Sequence, residues 1–399
     1  MQASAHPEFW PSPMIGQARL IRAAFEGSDL AACAQAIVAG ANNGVVEAGA
    51  ALDLSTILLL LQRSEEALKL QTDVLHGHRH FRLRSNAPGA RTRVLVIVAA
   101  GDLMANTPVD FLLDDPGFSV EYLYILPGQE APRRLPEHDV VVVGVAYSRA
   151  NEPVLEALDE AAAHWTRPVF NLPRSVLRTS RHGIAEALAG APGILVPRIL
   201  RAGRSSLIAG GSRIPQGLDF PILVRPIDTH AGNDLQRIEH TPALGDYLAG
   251  AQAEELYLTQ FCDYRGPDGL YRKYRIALID GAPFLCHMAI RDHWMIHYLN
   301  AGMLDDSRKQ AEEASAMAAF DTVFARRHRQ AFAEIHRRLG LDYLVLDCAE
   351  SRDGRLLIFE ADTGMVVHDM DSAEIYPYKA PQMRKVFSAF QQALATRIG

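Results

Sequence analysis

The sequence predicts a mixed chain: α/β in its middle, α+β in its C-terminal half, behind a helical N-terminal region. Three observations carry this reading. Short continuous apolar runs, Arg93–Val98, Val120–Leu126 and Asp139–Val145, alternate with helical stretches such as Pro153–His164. That is the pattern of parallel strands covered on both faces, a doubly wound sheet. Two Asp-Gly dipeptides, Asp280-Gly281 and Asp353-Gly354, lie between alternating apolar runs, a strong hairpin signal. Residues Met14–His80 are rich in Ala and Leu at helical spacing and nearly free of β-branched alternation.

Composition narrows the class. Of 399 residues 48% are hydrophobic and 22% charged, so apolar burial suffices to order the chain and disorder is excluded for most of it. Forty Lys+Arg stand against 47 Asp+Glu, a net charge of −7, which favours no nucleic-acid partner. Cys33, Cys262, Cys286 and Cys348 form no CxxC pair, so neither a zinc site nor a disulfide framework is expected. The apolar runs fall short of the roughly 20 residues a membrane span needs. Met1–Pro13 carry His6, Glu8 and three prolines and no apolar core of a secretory leader. A soluble cytoplasmic protein is expected, with no membrane partner.

The elements are expected in three domains, 1–88, 89–200 and 201–399. In the first, Leu20, Ala24, Ala31 and Ala34 line one helix. Leu52–Leu61 and Glu65–Leu75 form a helical pair, with Ser64 as N-cap. The pair weakly resembles a tetratricopeptide unit, although no period recurs three times. Ser85–Arg91 (SNAPGAR) is a polar linker with Pro and Gly. In the third domain Pro221–Pro226 and Leu256–Phe261 are strands. Tyr274–Ile279 and Ala282–Ala289 flank the first Asp-Gly turn. Tyr343–Ala349 and Arg355–Ala361 flank the second, and a helix at Phe320–Leu339 lies between the hairpins.

The second hairpin carries acids. With Asp353-Gly354 as a two-residue turn, Arg352 faces Arg355 and Asp347 falls opposite Glu360, while Asp362 shares the face of Glu360 by strand alternation. Directly opposed like charges destabilise a sheet, so compensation is expected from a hard metal ion, which takes oxygen ligands, or from arginines nearby; the alternative is solvated acids on an exposed face.

The order of these elements resembles the ATP-grasp ligases, a family that includes D-alanine–D-alanine ligase, glutathione synthetase and ribosomal-protein glutamate ligase. The resemblance runs from about Arg91 to the C-terminus. It implies a Rossmann-like pre-ATP-grasp domain followed by an ATP-grasp fold. Leu341–Asp362 (LDYLVLDCAESRDGRLLIFEAD) is similar to the family's metal hairpin. Asp347, Glu360 and Asp362 then hold Mg2+, or Mn2+ in its place, with Asp362 where the family usually has Asn.

The resemblance also assigns cations. Arg225, in PILVRP, takes the place of the family lysine on the α- and β-phosphates, and Arg181 that of an earlier lysine. Arg keeps the charge but is longer and planar. The loop Asp228–Asn233 (DTHAGN) stands where a Gly-rich loop covers the phosphates, which makes His230 a candidate phosphate contact. In Leu256–Asp263 (LYLTQFCD), Phe261 and Cys262 match the backbone hinge that meets adenine. Gln260 is expected at the adenine edge, and Asp263 at the ribose with Glu254 and Glu255 as alternatives. In the first hairpin Lys273 and Arg275 share a face. The turn arithmetic sets them opposite Met288 and Cys286, and Lys273 is counted with the nucleotide contacts. Arg275 and Arg291 match the arginines that stabilise the γ-phosphoryl and the acyl phosphate. His293, His297, Tyr298 and Asn300 are candidates for a substrate pocket.

The implied activity is an ADP-forming carboxylate–amine ligase. It would use ATP and Mg2+ on a small-molecule carboxylate and an amine, such as amino acids or a peptide. The alternatives are a phosphotransferase of the same fold and a non-catalytic nucleotide-binding scaffold. A homodimer is expected, and the N-terminal helices offer a surface for a protein partner.

Overall fold

The computed structural model describes residues 10–42, 47–85, 89–227, 234–297 and 300–398. They fall into two compact units. The first comprises residues 1–177, 340–345 and 362–399, and the second residues 178–339 and 346–361.

The first unit is built on β1 (Ser12–Met14), β2 (His80–Leu83), β3 (Thr92–Ala99), β4 (Phe118–Ile125), β5 (Val140–Val143) and β6 (Val169–Phe170), in the order β1-β2-β4-β3-β5-β6. The central strands are parallel, β3 with β4 and β5, and β5 with β6. The continuous apolar runs form them because both faces are covered: Val94–Val98 and Val140–Val143 are buried throughout. The helix Glu152–Ala162 starts with Pro153 in its first turn and buries Val154, Leu155, Leu158 and Ala161, one helical stripe. The doubly wound layer expected from sequence is therefore present.

The N-terminal region is mainly helical, and it adds two strands that its spacing does not announce. β1 runs parallel to β2, which is antiparallel to β4. The stretch expected as one helix is two, Gln17–Phe25 and Leu30–Asn42. Gly27 has φ 79°, and Ser28 N–H reaches back to the Ala23 carbonyl at 2.9 Å, a glycine stop that ends the first helix. Leu20 and Leu30 still meet Ile57 in one cluster, with Ala24 and Ala34 at its edge. The helical pair is Ala48–Leu60 and Ser64–Gly77. Ser64 is its first helical residue and not the cap. Arg63 holds the cap position without a side-chain cap bond, because a guanidinium has no acceptor to offer a backbone N–H; it donates to Glu66 instead.

The second unit contains β7 (Ile194–Leu195), β8 (Ile199–Gly203), β9 (Ile222–Pro226), β10 (Gln236–Ile238), β11 (Glu255–Gln260), β12 (Tyr271–Ile279) and β13 (Ala282–Arg291). β14 (Tyr343–Glu350) and β15 (Leu356–Asp362) begin or end in the first unit. One sheet has the order β10-β9-β11-β8, with antiparallel pairs throughout, and the other β13-β12-β14-β15-β7. Ile222, Val224, Leu256 and Leu258 bury one face of the first sheet against Leu244 and Leu248 of the helix Thr241–Gly250. The single helix expected at 320–339 is broken. Helices occupy Ser307–Ala319, Phe324–Arg327 and Arg329–Leu339. Thr322 turns its hydroxyl onto the Ala319 carbonyl, the local side-chain bonding that competes with helix continuation.

Candidate functional site

The two Asp-Gly dipeptides make different turns. Asp280 and Gly281 both have positive φ, 46° and 79°, as a two-residue turn requires. Ile279 therefore pairs with Ala282, as expected. The ladder then slips by one between Arg275 and Ile276, so Arg275 lies opposite His287 and Lys273 opposite Ala289. The pairing of these two with Cys286 and Met288 is thus corrected by a bulge. The shared face survives, since Lys273 and Arg275 remain two apart. Arg291, opposite Tyr271, joins that face.

At the second hairpin only Gly354 has positive φ, 79°. Ser351 N–H bonds the Arg355 carbonyl at 2.9 Å, and Gly354 N–H bonds the Ser351 carbonyl at 2.9 Å. The loop thus holds three residues, and Ser351 rather than Arg352 faces Arg355. The expected register is shifted by one next to the turn.

Asp347 is buried on β14, and both its oxygens meet cations. Arg275 Nε donates to Oδ1 at 2.9 Å and Nη2 to Oδ2 at 3.1 Å. Lys273 Nζ lies 2.7 Å from Oδ2. Burial disfavours the carboxylate, but the Arg275 and Lys273 charges outweigh it and hold its pKa well below the usual carboxylate range. Glu360 on β15 has its own cation: Arg181 Nη2 donates to Oε1 at 2.6 Å, and Nη1 to the Phe359 carbonyl at 3.4 Å. Arg181 opens a short helix whose cap, Ser180, accepts the Gly183 N–H.

Arg225 sits on β9 opposite Tyr257 and is buried, 8% exposed. Burial first, then the neighbouring Arg181 charge, push it down to about 10, and Glu360 opposes them. Burial also lowers the His297 pKa, with Lys273 and Arg275 adding to it and Asp347 and Glu360 opposing. Arg181, Arg225, Lys273 and Arg275 thus lie around Asp347 and Glu360. Four fixed cations on strands or helix ends suit a polyanion such as a chain of phosphates.

Other expected residues are placed as follows. Gln260 Oε1 accepts the Asp219 N–H at 2.9 Å, and its Nε2 donates to the Asp219 and Pro221 carbonyls. Asp263 is held by Arg265 and Arg352, each within 2.8 Å of Oδ2, and Arg265 first of all lowers its pKa to about 2. Glu254 accepts from Ser205. The Phe261 ring lies under Arg237, 4.1 Å away, and edge-on to Trp294. Cys262 is half-buried, and burial raises its thiol pKa. His293 accepts the Met295 N–H, and Asn300 the His297 N–H. Asp362, two residues beyond Glu360 on β15, accepts the Gly364 N–H at 2.9 Å. His230 and Tyr298 lie outside the described residues. Among the described residues no three His, Cys, Asp or Glu side chains gather as a metal cluster.

Sequence reasoning missed Arg237 and Arg352. An arginine over an aromatic ring is a recurrent pairing, but which ring it meets is set by tertiary structure.

No family model matches the chain, and no curated protein matches it in sequence. Its fold is similar to that of VanG D-Ala:D-Ser ligase from Enterococcus faecalis, at TM-score 0.50 and 13% identity, over 77% of this chain and 100% of that one. D-alanyl-alanine synthetase A from Vibrio cholerae follows at TM-score 0.46 and 11% identity, over 77% and 99%. The ATP complex of D-alanine–D-alanine ligase from Bacillus anthracis has TM-score 0.44 and 14% identity, over 77% and 98%. The chain has an ATP-grasp-like fold. Among the described residues no helix is long and apolar enough to cross a membrane.

Proposed function

We propose that the chain is an ATP-dependent ligase that joins a carboxylate to an amine. The observation that carries this reading is the set of four cations, Arg181, Arg225, Lys273 and Arg275, around Asp347 and Glu360. Phosphoryl transfer needs little covalent help from a protein. It needs positioned groups and neutralised charge.

The residues fit the proposed ligands by their chemistry. Asp347, Glu360 and Asp362 are carboxylates, the donors a hard divalent cation takes, and they would hold Mg2+ or Mn2+. That ion would neutralise phosphate charge. Arg225 and Arg181 hold the nucleotide phosphates in this reading. Arg275, with Arg291 on the same face, steadies the oxygens of the transferring phosphoryl group. The substrate carboxylate attacks the γ-phosphorus and ADP leaves, giving an acyl phosphate. The amine nitrogen then attacks the acyl carbon and loses its proton, and the C–O bond breaks with its electron pair leaving on phosphate. No side chain is required as a nucleophile.

Product mass tests the proposal. Incubation with ATP, Mg2+ and a panel of amino acids and short peptides should yield ADP and a condensed amide, and Glu360→Gln should abolish both. A phosphorylated product instead of an amide would make the chain a phosphotransferase. One observation favours the scaffold reading: both oxygens of Asp347 are already occupied by cations. Calorimetric binding of ATP and Mg2+ without ADP release across the panel would establish it. A homodimer and a cytoplasmic setting belong to the same proposal, and sedimentation tests the first.

A further inference from the structure

The structure assigns a second binding site to this chain, on the face of β12 turned away from Lys273 and Arg275, and its chemistry fits a short peptide with free termini and apolar side chains. Side chains alternate along β12 between Tyr271 and Arg275, where the ladder is regular. Arg272 and Tyr274 therefore point opposite to Lys273 and Arg275. They line an open cavity of about 750 Å3, bordered by the loop that follows β11 and by the 352–354 turn. That volume is in the range of small-molecule sites.

The charged groups at this cavity fall into two sets. In one, Arg265 and Arg352 of the lining converge on a single oxygen of Asp263 beside it, at 2.7 and 2.8 Å. Two cations share one carboxylate, which leaves one positive charge over. In the other, Arg272 of the lining is shared between Asp268 and Glu312, which flank it outside the lining, two carboxylates on one cation, which leaves one negative charge over. Glu350 is balanced by Arg327, whose Nη1 lies 2.6 and 2.7 Å from its two oxygens. Tyr264, Pro267, Leu270 and Tyr274 supply the apolar part of the lining.

A ligand that complements this pattern carries a carboxylate for the Arg265–Arg352 pair and an ammonium for Asp268 and Glu312. Guanidinium forks recognise carboxylates through paired N–H donors. The cavity exceeds a single amino acid in size, and its aromatic lining takes an apolar side chain. A polyanion is disfavoured, because the acids balance the arginines overall.

The probe is the dipeptide phenylalanyl-leucine, titrated calorimetrically into the full chain beside its N-acetylated and C-amidated forms. Saturable binding of the free dipeptide is expected, weakened about tenfold by either cap. Arg352 is exposed on a turn, so Arg352→Gln keeps the fold. It should weaken the free dipeptide about tenfold and leave the amidated form unchanged. Asp268→Asn should do the same for the free and acetylated forms. The inference does not rest on the proposed ligase: Glu360→Gln should bind the dipeptide as the wild type does. No saturable binding up to about 10 mM would overturn it. So would equal binding of the doubly capped dipeptide, or binding that survives Arg352→Gln and is lost in Lys273→Gln, which places the peptide on the other face.

Discussion

The Arg275 guanidinium meets the Asp347 carboxylate edge to edge, with Nε to Oδ1 at 2.9 Å and Nη2 to Oδ2 at 3.1 Å. The pair bridges β12 and β14, which are neighbours in their sheet. Breaking a buried ion pair costs more than forming it gains, because the remaining charge stays out of water. Arg275→Met leaves Lys273 on Asp347. We expect a loss of about 2–4 kcal/mol in urea unfolding. Arg275→Met with Lys273→Met and Asp347→Asn should recover at least half of that loss, since none of the three charges remains. A triple variant no more stable than Arg275→Met alone would show that packing, not charge, sets the cost.

Arg225 stands where the resemblance leads one to expect lysine. Its burial, with Arg181 and Glu360 as charged neighbours, makes charge and shape separable by substitution. Arg225→Ala should weaken ATP binding by about 10- to 100-fold, the worth of one charge-assisted contact. Arg225→Lys keeps the charge and loses the planar fork, so it should fall between the two. Calorimetry with ATP and Mg2+ measures both. Unchanged affinity in Arg225→Ala would remove Arg225 from the phosphate site.

The periodic features were legible and the discrete ones were not. β3, β4 and β5 were readable because a strand buried on both faces writes itself as a continuous apolar run. β1 and β2, at three and four residues, are too short to show a period. The shared face of Lys273 and Arg275 followed from alternation alone and survived the bulge that moved their partners. The turn at Asp353-Gly354 was misread because Gly accepts positive φ in both turn types. What distinguishes them is the φ of the preceding Asp, which is positive at Asp280 and not at Asp353. The acids were legible as a group, whereas their cations were assigned to phosphate. That Arg181 grips Glu360 and that Lys273 and Arg275 grip Asp347 are long-range pairings that no local spacing encodes.

The pH dependence of stability should change sign near pH 4. Asp263 and Asp353, held at about 2 chiefly by Arg265 and Arg355, are depressed. Their contribution is present above the unfolded pKa of roughly 4 and is lost as pH falls toward 2. Both are partly exposed, so solvent screening keeps it small. Asp53 and Asp110 behave oppositely. Burial raises each to about 6, against the N–H groups of Ile15, Gly16 and Ala18 and the charges of Arg84 and Arg22; Asp110 acts on Asp53, and Asp114 on Asp110, in the raising direction. A raised carboxylate pKa gives stability that is fully present below the unfolded pKa and lost as pH rises through 6. Urea midpoints should therefore rise from pH 2 to 4 and fall from pH 4 to 6, by on the order of 1–3 kcal/mol per buried acid. Asp110→Asn should flatten the second limb. A monotonic rise from pH 4 to 6 would refute the assignment.

Gly49 tests how the N-terminal segment is held. It lies in the first turn of the helix Ala48–Leu60, where its N–H donates to Ser12 Oγ at 2.9 Å. A Cβ placed on Gly49 would sit 2.1 Å from the Pro13 carbonyl oxygen and 2.6 Å from its carbon. Those atoms belong to backbone within β1, which pairs with β2, so they cannot swing aside as a side-chain tip can. An exposed helical glycine replaced by alanine normally gains up to about 1 kcal/mol. Here Gly49→Ala should instead lose about 2–4 kcal/mol, because β1 must leave the helix or the helix must shift. Gly77→Ala is the control: nothing lies within 4 Å of its Cβ position, so it should be neutral or stabilising. Hydrogen exchange localises the effect. The Arg84 N–H, bonded to the Met14 carbonyl at 2.8 Å, should lose protection in Gly49→Ala while the amides of β3 and β5 keep theirs. Uniform loss of protection across the sheet would mean that β1 is integral to the first unit rather than an edge strand clamped onto it.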